Sequence, residues 1–258
     1  MTKLAAQLYT VRNHLKTDED FAQSMQKIAE IGYRYVQISG IGDLSWAKMK
    51  EALDANGLRC LITHVRLEDI LENTDSVIEN HKTIGCDIVG IGGGGQYLSK
   101  GDMTAAMYDE YIALLTEAGR KLTAAGLKFA YHNHHFEFKR LDNGQLGFDY
   151  LLEQVPAELM GLTVDVYWLQ YGGVSVLETL ERYADRIHCV HLKDYRINAD
   201  SVPEFAEVGY GTMNWEAILD SCRKNGLEIL AVEQDTTPGD PFESLKMSHD
   251  FLEENFGL

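Results

Sequence analysis

Basic residues are scarce in this chain. Lys and Arg number 23 against 40 Asp and Glu, a formal net charge of −17. That deficit argues against a nucleic-acid partner, because phosphate binding draws on a basic surface, and it disfavours docking on anionic membranes. Cysteines are few as well. Cys60, Cys86, Cys189 and Cys222 stand far apart without a CxxC pair, which speaks against a zinc knuckle or a disulfide framework and for buried, reduced thiols. Only four prolines, Pro156, Pro203, Pro238 and Pro241, are scattered along the chain, and no Pro-rich, Ser-rich or low-complexity stretch breaks it. One domain over residues 1–258 is therefore the simplest organisation. No run approaches the roughly 20 apolar residues of a membrane helix, and the start, Met1-Thr2-Lys3-Leu4-Ala5-Ala6-Gln7, carries no cleavage-site pattern. A cytoplasmic protein that handles a small molecule is expected.

What the chain does have is alternation. With 258 residues, 45% hydrophobic and 24% charged, it has the length of one large α/β domain and an ordinary globular composition. Short β-rich runs, Leu4–Tyr9, Tyr33–Ser39, Arg59–His64, Ile88–Gly92, Leu127–His132, Leu162–Val166, Ile187–Leu192 and Ile229–Glu233, alternate with longer segments. Six of these, Phe21–Ile31, Trp46–Asn56, Asp75–Ile84, Met107–Ala125, Val176–Tyr183 and Trp215–Lys224, repeat apolar residues at helical spacing. Glycine follows several of them just ahead of the next strand, as in Ala125-Gly126-Leu127 and Asn225-Gly226-Leu227, where it suits a left-handed C-terminal cap. Eight such units predict a parallel sheet closed into a (β/α)8 TIM barrel, ahead of an open doubly wound sheet. The longest irregular segments, Gly92–Met103 and Asp194–Thr212, follow strands and belong on the C-terminal rim, where barrel sites form.

Four apolar runs end in metal-competent residues. They are His132-Asn133-His134-His135-Phe136-Glu137, Asp165 after Thr163-Val164, His191 before Leu192-Lys193-Asp194, and Glu233 after Ala231-Val232. Charged and imidazole groups at buried strand ends are costly unless something compensates them. Alone, each reads as a satisfied polar residue; three successive strands ending alike favour a shared site. Oxygen donors beside imidazole suit manganese, cobalt, zinc or magnesium rather than a soft-thiolate metal. In the His132 to Glu137 segment the strand period of two sends His132 and His134 to one side, and Asn133 and His135 to the other. At least one group there is expected to join the metal, and the pattern does not choose it.

Around these lie residues fit to bind hydroxyls or rings: Gln7 and Tyr9 at the end of the first strand, His64 at the end of the third, and Trp168 after Asp165. Lys193 could hold an oxyanion, against the plainer reading of an ion pair with Asp194. Gly90-Ile91-Gly92-Gly93-Gly94-Gly95 satisfies G-x-G-x-x-G in form. No helix is expected directly after it, so it reads as a permissive rim loop rather than a dinucleotide cradle. A nicotinamide oxidoreductase would rest on this run alone.

At Tyr131-His132-Asn133-His134-His135-Phe136-Glu137-Phe138, Thr163-Val164-Asp165-Val166-Tyr167-Trp168, Val190-His191-Leu192-Lys193-Asp194 and Val232-Glu233-Gln234-Asp235 the chain resembles the sugar phosphate isomerase/epimerase group of the xylose isomerase-like TIM barrels. The likeness spans essentially the whole chain. It implies one divalent metal, manganese first with zinc, cobalt or magnesium as alternatives, held by Asp165, His191, Glu233 and a first ligand. That ligand is Glu137 or, alternatively, His132, because His132-Asn133-His134 stands where relatives often have Glu-Asn-His. The resemblance further implies an isomerase or epimerase of a keto-sugar or cyclitol working through an enediolate. Glu233 is the expected base, with His134, Glu137 or Lys193 as acid; Gln7, His64, His132, Trp168 and Lys193 are the expected substrate contacts. Losing the first glutamate would remove one partner of a two-glutamate proton exchange. The same arrangement serves a lyase, such as an inosose dehydratase or a 3-keto-glycoside eliminase or hydrolase. A non-catalytic sugar-binding barrel is the alternative from another class. Homo-oligomers are compatible with the group; a multi-zinc endonuclease site and a phosphate clamp are not indicated.

Overall fold

In the computed structural model, which describes residues 2–98, 101 and 103–258, the alternating segments close on themselves. The strands are β1 (Lys3–Gln7), β2 (Tyr35–Ile38), β3 (Arg59–Val65), β4 (Ile88–Ile91), β5 (Lys128–His132), β6 (Gly161–Asp165), β7 (Ile187–Leu192), β8 (Asp194–Ile197), β9 (Pro203–Ala206) and β10 (Ile229–Val232). Eight of them form a closed parallel barrel in the order β1-β10-β7-β6-β5-β4-β3-β2, and β8 and β9 pair apart from it as an antiparallel hairpin. The helices are α1 (Asp18–Ile31), α2 (Trp46–Ala55), α3 (Leu67–Glu72), α4 (Thr74–Ile84), α5 (Gly95–Leu98), α6 (Ala105–Ala124), α7 (Gly147–Gln154), α8 (Val166–Tyr171), α9 (Val176–Arg182), α10 (Trp215–Lys224) and α11 (Pro241–Phe256). No helix among the described residues is long and apolar enough to cross a membrane.

The expected TIM barrel is therefore present, and its element ends are set by caps rather than by the first apolar residue. Helix α1 starts at Asp18, ahead of Phe21, because Thr17 and Asp20 form a reciprocal capping box that satisfies two otherwise orphaned donors. Gly126 and Gly226 adopt φ of +77° and +68°, the left-handed geometry that lets the chain leave a helix for the next strand.

Two segments differ from expectation. Asp194–Ile197 and Pro203–Ala206 pair as strands inside a stretch expected to be irregular. Their turn is tied by Asn198, whose Oδ1 accepts from Asp200 N and Val202 N, both at 3.0 Å; proline at an edge-strand start and a four-residue pairing hide the strand signal. In the other segment, a single helical turn, α5, begins at the last glycine of the glycine run, where no helix was expected. Ser99, Lys100 and Asp102 of that segment lie outside the described residues.

The strand period of two builds the barrel interior in layers. Ala5, Ile62, Ile88, Ala130, Cys189 and Ala231 pack as an apolar plug. Two residues further along the strands, the inward positions become Gln7, His64, His132, His191 and Glu233, all on the C-terminal side of that plug. Outward residues such as Val36, Val89, Leu162, Val190 and Leu230 join the apolar stripes of the helices in a second, larger core. Polar groups thus sit on an apolar, packed floor, at the rim end of the barrel.

Candidate metal centre

Four strand ends bring His132, Asp165, His191 and Glu233 together. All four are buried, and one ligand atom from each lies within 4.8 Å of the others. Registry explains part of this, since Asp165 is directly paired with His191 across β6 and β7, and Ala231 with His191 across β7 and β10. Glu233 follows β10 and completes the arc.

Each of these side chains has one polar atom tied to the protein, leaving the other for the shared point. His191 Nε2 donates to Gln37 Oε1 at 2.7 Å, which leaves the lone pair on Nδ1. His132 Nδ1 meets the Thr163 carbonyl at 3.4 Å. Glu233 Oε1 accepts from Gln7 Nε2 at 2.9 Å, and Asp165 Oδ1 accepts from Tyr167 N and Trp168 N at 2.9 and 3.2 Å as the N-cap of α8. The opposite atoms, Asp165 Oδ2, His191 Nδ1 and Glu233 Oε2, are buried and have no hydrogen-bond partner among the described residues. His191 Nδ1 lies 2.8 Å from Glu233 Oε2, yet not in hydrogen-bond geometry. Lone pairs converging on one point, two of them ion-paired with the Lys193 ammonium at 2.9 Å and each with its far side anchored, fit a divalent cation and its outer shell. The cluster could hold a metal ion.

The electrostatics of the cluster are set by burial and by Lys193. Removing a carboxylate from water costs several kcal/mol per ion unless a charge compensates it. Burial pushes Asp165 up to about 6, opposed by Lys193. Burial also pushes Glu233 upward, but the Lys193 ammonium and His191 outweigh it and hold Glu233 well below the usual carboxylate range. Lys193 is 1% exposed and its Nζ lies 2.9 Å from Asp165 Oδ2, 2.9 Å from Glu233 Oε2 and 3.2 Å from Asp235 Oδ2. Burial disfavours its charge, yet these three carboxylates keep it a firmly protonated ammonium. Burial, chiefly, lowers His64 to about 3 and His134 to about 3 and drives His132 well down, so these imidazoles are neutral at physiological pH.

A cavity of about 310 Å³ opens above the cluster, lined by Gln7, Tyr9, Ser39, His64, Gly92, His132, His134, Glu233 and Asp235. Of the residues singled out as substrate contacts, Gln7, His64 and His132 line it. Trp168 stands beside it, its ring 5.4 Å from that of His134 and 5.3 Å from Lys193 Nζ. Asn133 points away and accepts from Asp165 N at 2.9 Å, and His135 is exposed, as the strand period requires.

Glu137 is elsewhere. It is fully buried, its Oε1 accepts from Tyr131 Oη at 2.6 Å and its Oε2 from His134 N at 2.9 Å, so both oxygens are committed outside the cluster, and His132 occupies the fourth corner. Lys193 does not pair with Asp194, contrary to the plainer expectation. Asp194 instead accepts from Tyr195 N, Met213 N, Gly209 N, Gly211 N and Trp215 Nε1, and the last four donors pin the 209–215 loop. Two contributors escaped sequence reasoning: Gln37, a lone polar residue inside Tyr35-Val36-Gln37-Ile38, and Asp235. The inward period of two from Tyr35 was a usable signal for Gln37.

The glycine run has a steric purpose here. Gly93 has φ of +88°, and a Cβ there would stand 2.7 Å from both the His132 carbonyl and His134 Nδ1. The loop packs against the histidine segment rather than cradling a phosphate at a long helix.

Comparison with known proteins agrees with this architecture. The chain is 24% identical over 267 residues to an inosose dehydratase of Geobacillus kaustophilus strain HTA426, covering 90% of this chain and 86% of that one. Matches to further inosose dehydratases, 26–28% identical, span only 53–59% of those proteins. Among solved structures, a sugar phosphate isomerase/epimerase of Parabacteroides distasonis ATCC 8503 superposes with a TM-score of 0.82 at 21% identity, over 99% of this chain and 94% of that one. The IOLI protein, solved with a bound zinc atom, superposes with a TM-score of 0.71 at 15% identity over 100% of both chains. The family model described as xylose isomerase-like TIM barrel matches residues 25–255, and with the closed barrel and its buried strand-end cluster in view, the chain belongs to the xylose isomerase-like TIM barrel family.

Proposed function

We propose that this protein is a divalent-metal-dependent lyase that removes water from a keto-cyclitol or keto-sugar, using Glu233 as its one acid/base carboxylate. The observation that carries this reading is the placement of the two glutamates. Glu233 lines the cavity, while Glu137 is held away from it by Tyr131 and the His134 backbone. Epimerisation by proton exchange needs groups on two faces of the substrate. Elimination across one face needs a single group, because the carboxylate that takes the proton from carbon can return it to the departing hydroxyl. Asp235, the cavity's other carboxylate, lies just beyond Glu233 on the same wall and is engaged by Lys193.

His132, Asp165, His191 and Glu233 would hold the ion, with manganese, zinc, cobalt or magnesium compatible with the donor set. When bound, the ion would supply Lewis-acid polarisation of the substrate carbonyl and acidify the adjacent C–H. Glu233 accepts that proton, and the positive charge of the buried Lys193 ammonium beside the cluster offsets the charge that develops on oxygen. The C–O bond of the neighbouring hydroxyl then breaks, a C=C bond forms beside the carbonyl, and the hydroxyl leaves as water with the proton from Glu233. Gln7, His64 and His134 are placed to bind ring hydroxyls, and the Trp168 face is available to a ring. The inosose dehydratase relatives support this reaction class.

Isomerisation or epimerisation of a ketose is the second reading. It is favoured by His134, which follows β5, three strands around the barrel from β10, and whose Nδ1 lacks a hydrogen-bond partner among the described residues. Elimination ranks first because the second glutamate, Glu137, is held away from the cavity and the inosose dehydratase relatives favour that reaction class.

The test pairs metal content with product analysis in D₂O. Wild type is expected to carry about one divalent ion per chain, lost in Asp165→Asn and Glu233→Gln, and to generate conjugated-enone absorbance from a keto-cyclitol. A deuterated, isomerised ketose without enone would favour the second reading. Wild type that stays metal-free after manganese is supplied would sink both and leave a sugar-binding barrel.

A further inference from the structure

Lys193 stands between two sets of carboxylates. On one side are Asp165 Oδ2 and Glu233 Oε2, each 2.9 Å from its Nζ, and both residues belong to the metal-competent cluster. On the other is Asp235 Oδ2 at 3.2 Å, outside the cluster, on a side chain 24% exposed. Only the contact with Asp235 has hydrogen-bond geometry. The Trp168 and Phe205 rings, 5.3 and 5.7 Å from Nζ, flank the ammonium and leave it few other directions.

We propose that Lys193 is a built-in counter-cation that holds the cluster together before metal arrives and hands it over by moving onto Asp235, so that the Lys193–Asp235 pair sets the metal affinity. The inference rests on the metal-binding reading above. Two buried carboxylates drawn to one point repel each other, and without a cation they would separate or take up protons. Lys193 removes that penalty and keeps Asp165 and Glu233 aimed at the point a cation would take. The same charge opposes the ion, since a metal bound by those oxygens would stand within a few ångströms of Nζ if the lysine stayed in place. A lysine has a flexible stem and a point charge that can be re-aimed without losing its charge, and Asp235 is the acceptor already in register.

The test is a double-mutant cycle read by calorimetric titration of Mn²⁺ and Zn²⁺ into chelator-treated protein, with Lys193→Met, Asp235→Asn and the double variant. Lys193→Met is expected to bind metal about tenfold more tightly than wild type, and Asp235→Asn about tenfold more weakly. In the Lys193→Met background, Asp235→Asn is expected to lose most of its effect, because its influence runs through the lysine. If Asp235→Asn weakens binding equally in both backgrounds, it acts by simple charge and the hand-over is wrong. Equal affinity in all four proteins would overturn the hand-over and leave the metal reading standing, whereas no uptake by any of them would overturn that reading as well. Should Lys193→Met fail to fold without metal, Lys193→Gln, which keeps a hydrogen-bond donor, replaces it in the same cycle. The metal-free melting temperature gives an independent readout. It is expected to fall in the lysine variants and to recover with metal, and a metal-free melt unchanged by loss of the lysine charge would overturn the counter-cation role.

Discussion

Gln37→Leu separates how the cluster is held from how it is folded. Gln37 is 0% exposed on β2, and its Oε1 accepts the Nε2 proton of His191 at 2.7 Å. Leucine has similar bulk and no acceptor. Orphaning a buried N–H costs about 1–3 kcal/mol, but Gln37 Nε2 is itself without a partner among the described residues, so the substitution also relieves one buried donor. Net destabilisation should therefore fall at the low end, about 1 kcal/mol. Metal affinity takes the larger loss. Without its anchor the His191 ring can turn or move its proton onto Nδ1, the atom facing Glu233, and loss of such an outer-shell partner weakens metal binding about 10–100-fold. Gln37→Glu keeps an acceptor and should hold affinity close to wild type. Calorimetric titration with Mn²⁺, beside guanidinium unfolding, reads both quantities. A folded Gln37→Leu protein that binds metal as tightly as wild type would refute the anchoring argument.

Three further outcomes are expected. Asp194→Ala strips the acceptor from five N–H donors and should destabilise by about 3–5 kcal/mol in urea unfolding; a loss near zero would mean that the 209–215 loop is held by something else. Glu137, raised by burial from 4.5 to about 7, holds its proton more tightly folded than unfolded. Its contribution to stability is full below the unfolded value and is lost as pH rises through about 7. The stability of wild type relative to the always-neutral Glu137→Gln should therefore fall by about 3 kcal/mol from roughly pH 4 to pH 8, and a difference independent of pH would contradict it. Gly93→Ala meets a positive φ as well as the His132 carbonyl and His134 Nδ1 at 2.7 Å; it should cost about 1–2 kcal/mol and weaken sugar binding by displacing His134, and a neutral effect on both would show that the loop gives way freely.

Much of the barrel could be read from alternation alone. The eight β-rich runs became the eight barrel strands, and the rim position of Asp165, His191 and Glu233 followed from where those runs stop. The β8–β9 hairpin was opaque because short edge strands carry little burial pattern, and α5 because a single turn beginning at a glycine has no amphipathic period to detect. The choice between His132 and Glu137 was equally closed to sequence. Alternation sends His132 inward, but whether a loop residue five positions later returns to the same point depends on what else can satisfy it. Here Tyr131 and the His134 amide do so.

By itself the sequence determined the number of barrel strands, the inward face of each of them and hence the layering of an apolar plug beneath a polar rim, because a period of two assigns every strand residue to a face regardless of its distant neighbours. Only the tertiary structure decided which atoms meet. Gln37 joined to His191, Lys193 shared among Asp165, Glu233 and Asp235, and Asp194 given over to a loop are contacts between residues as many as 154 positions apart. Barrel closure and loop return fix such distances, and no local period encodes them.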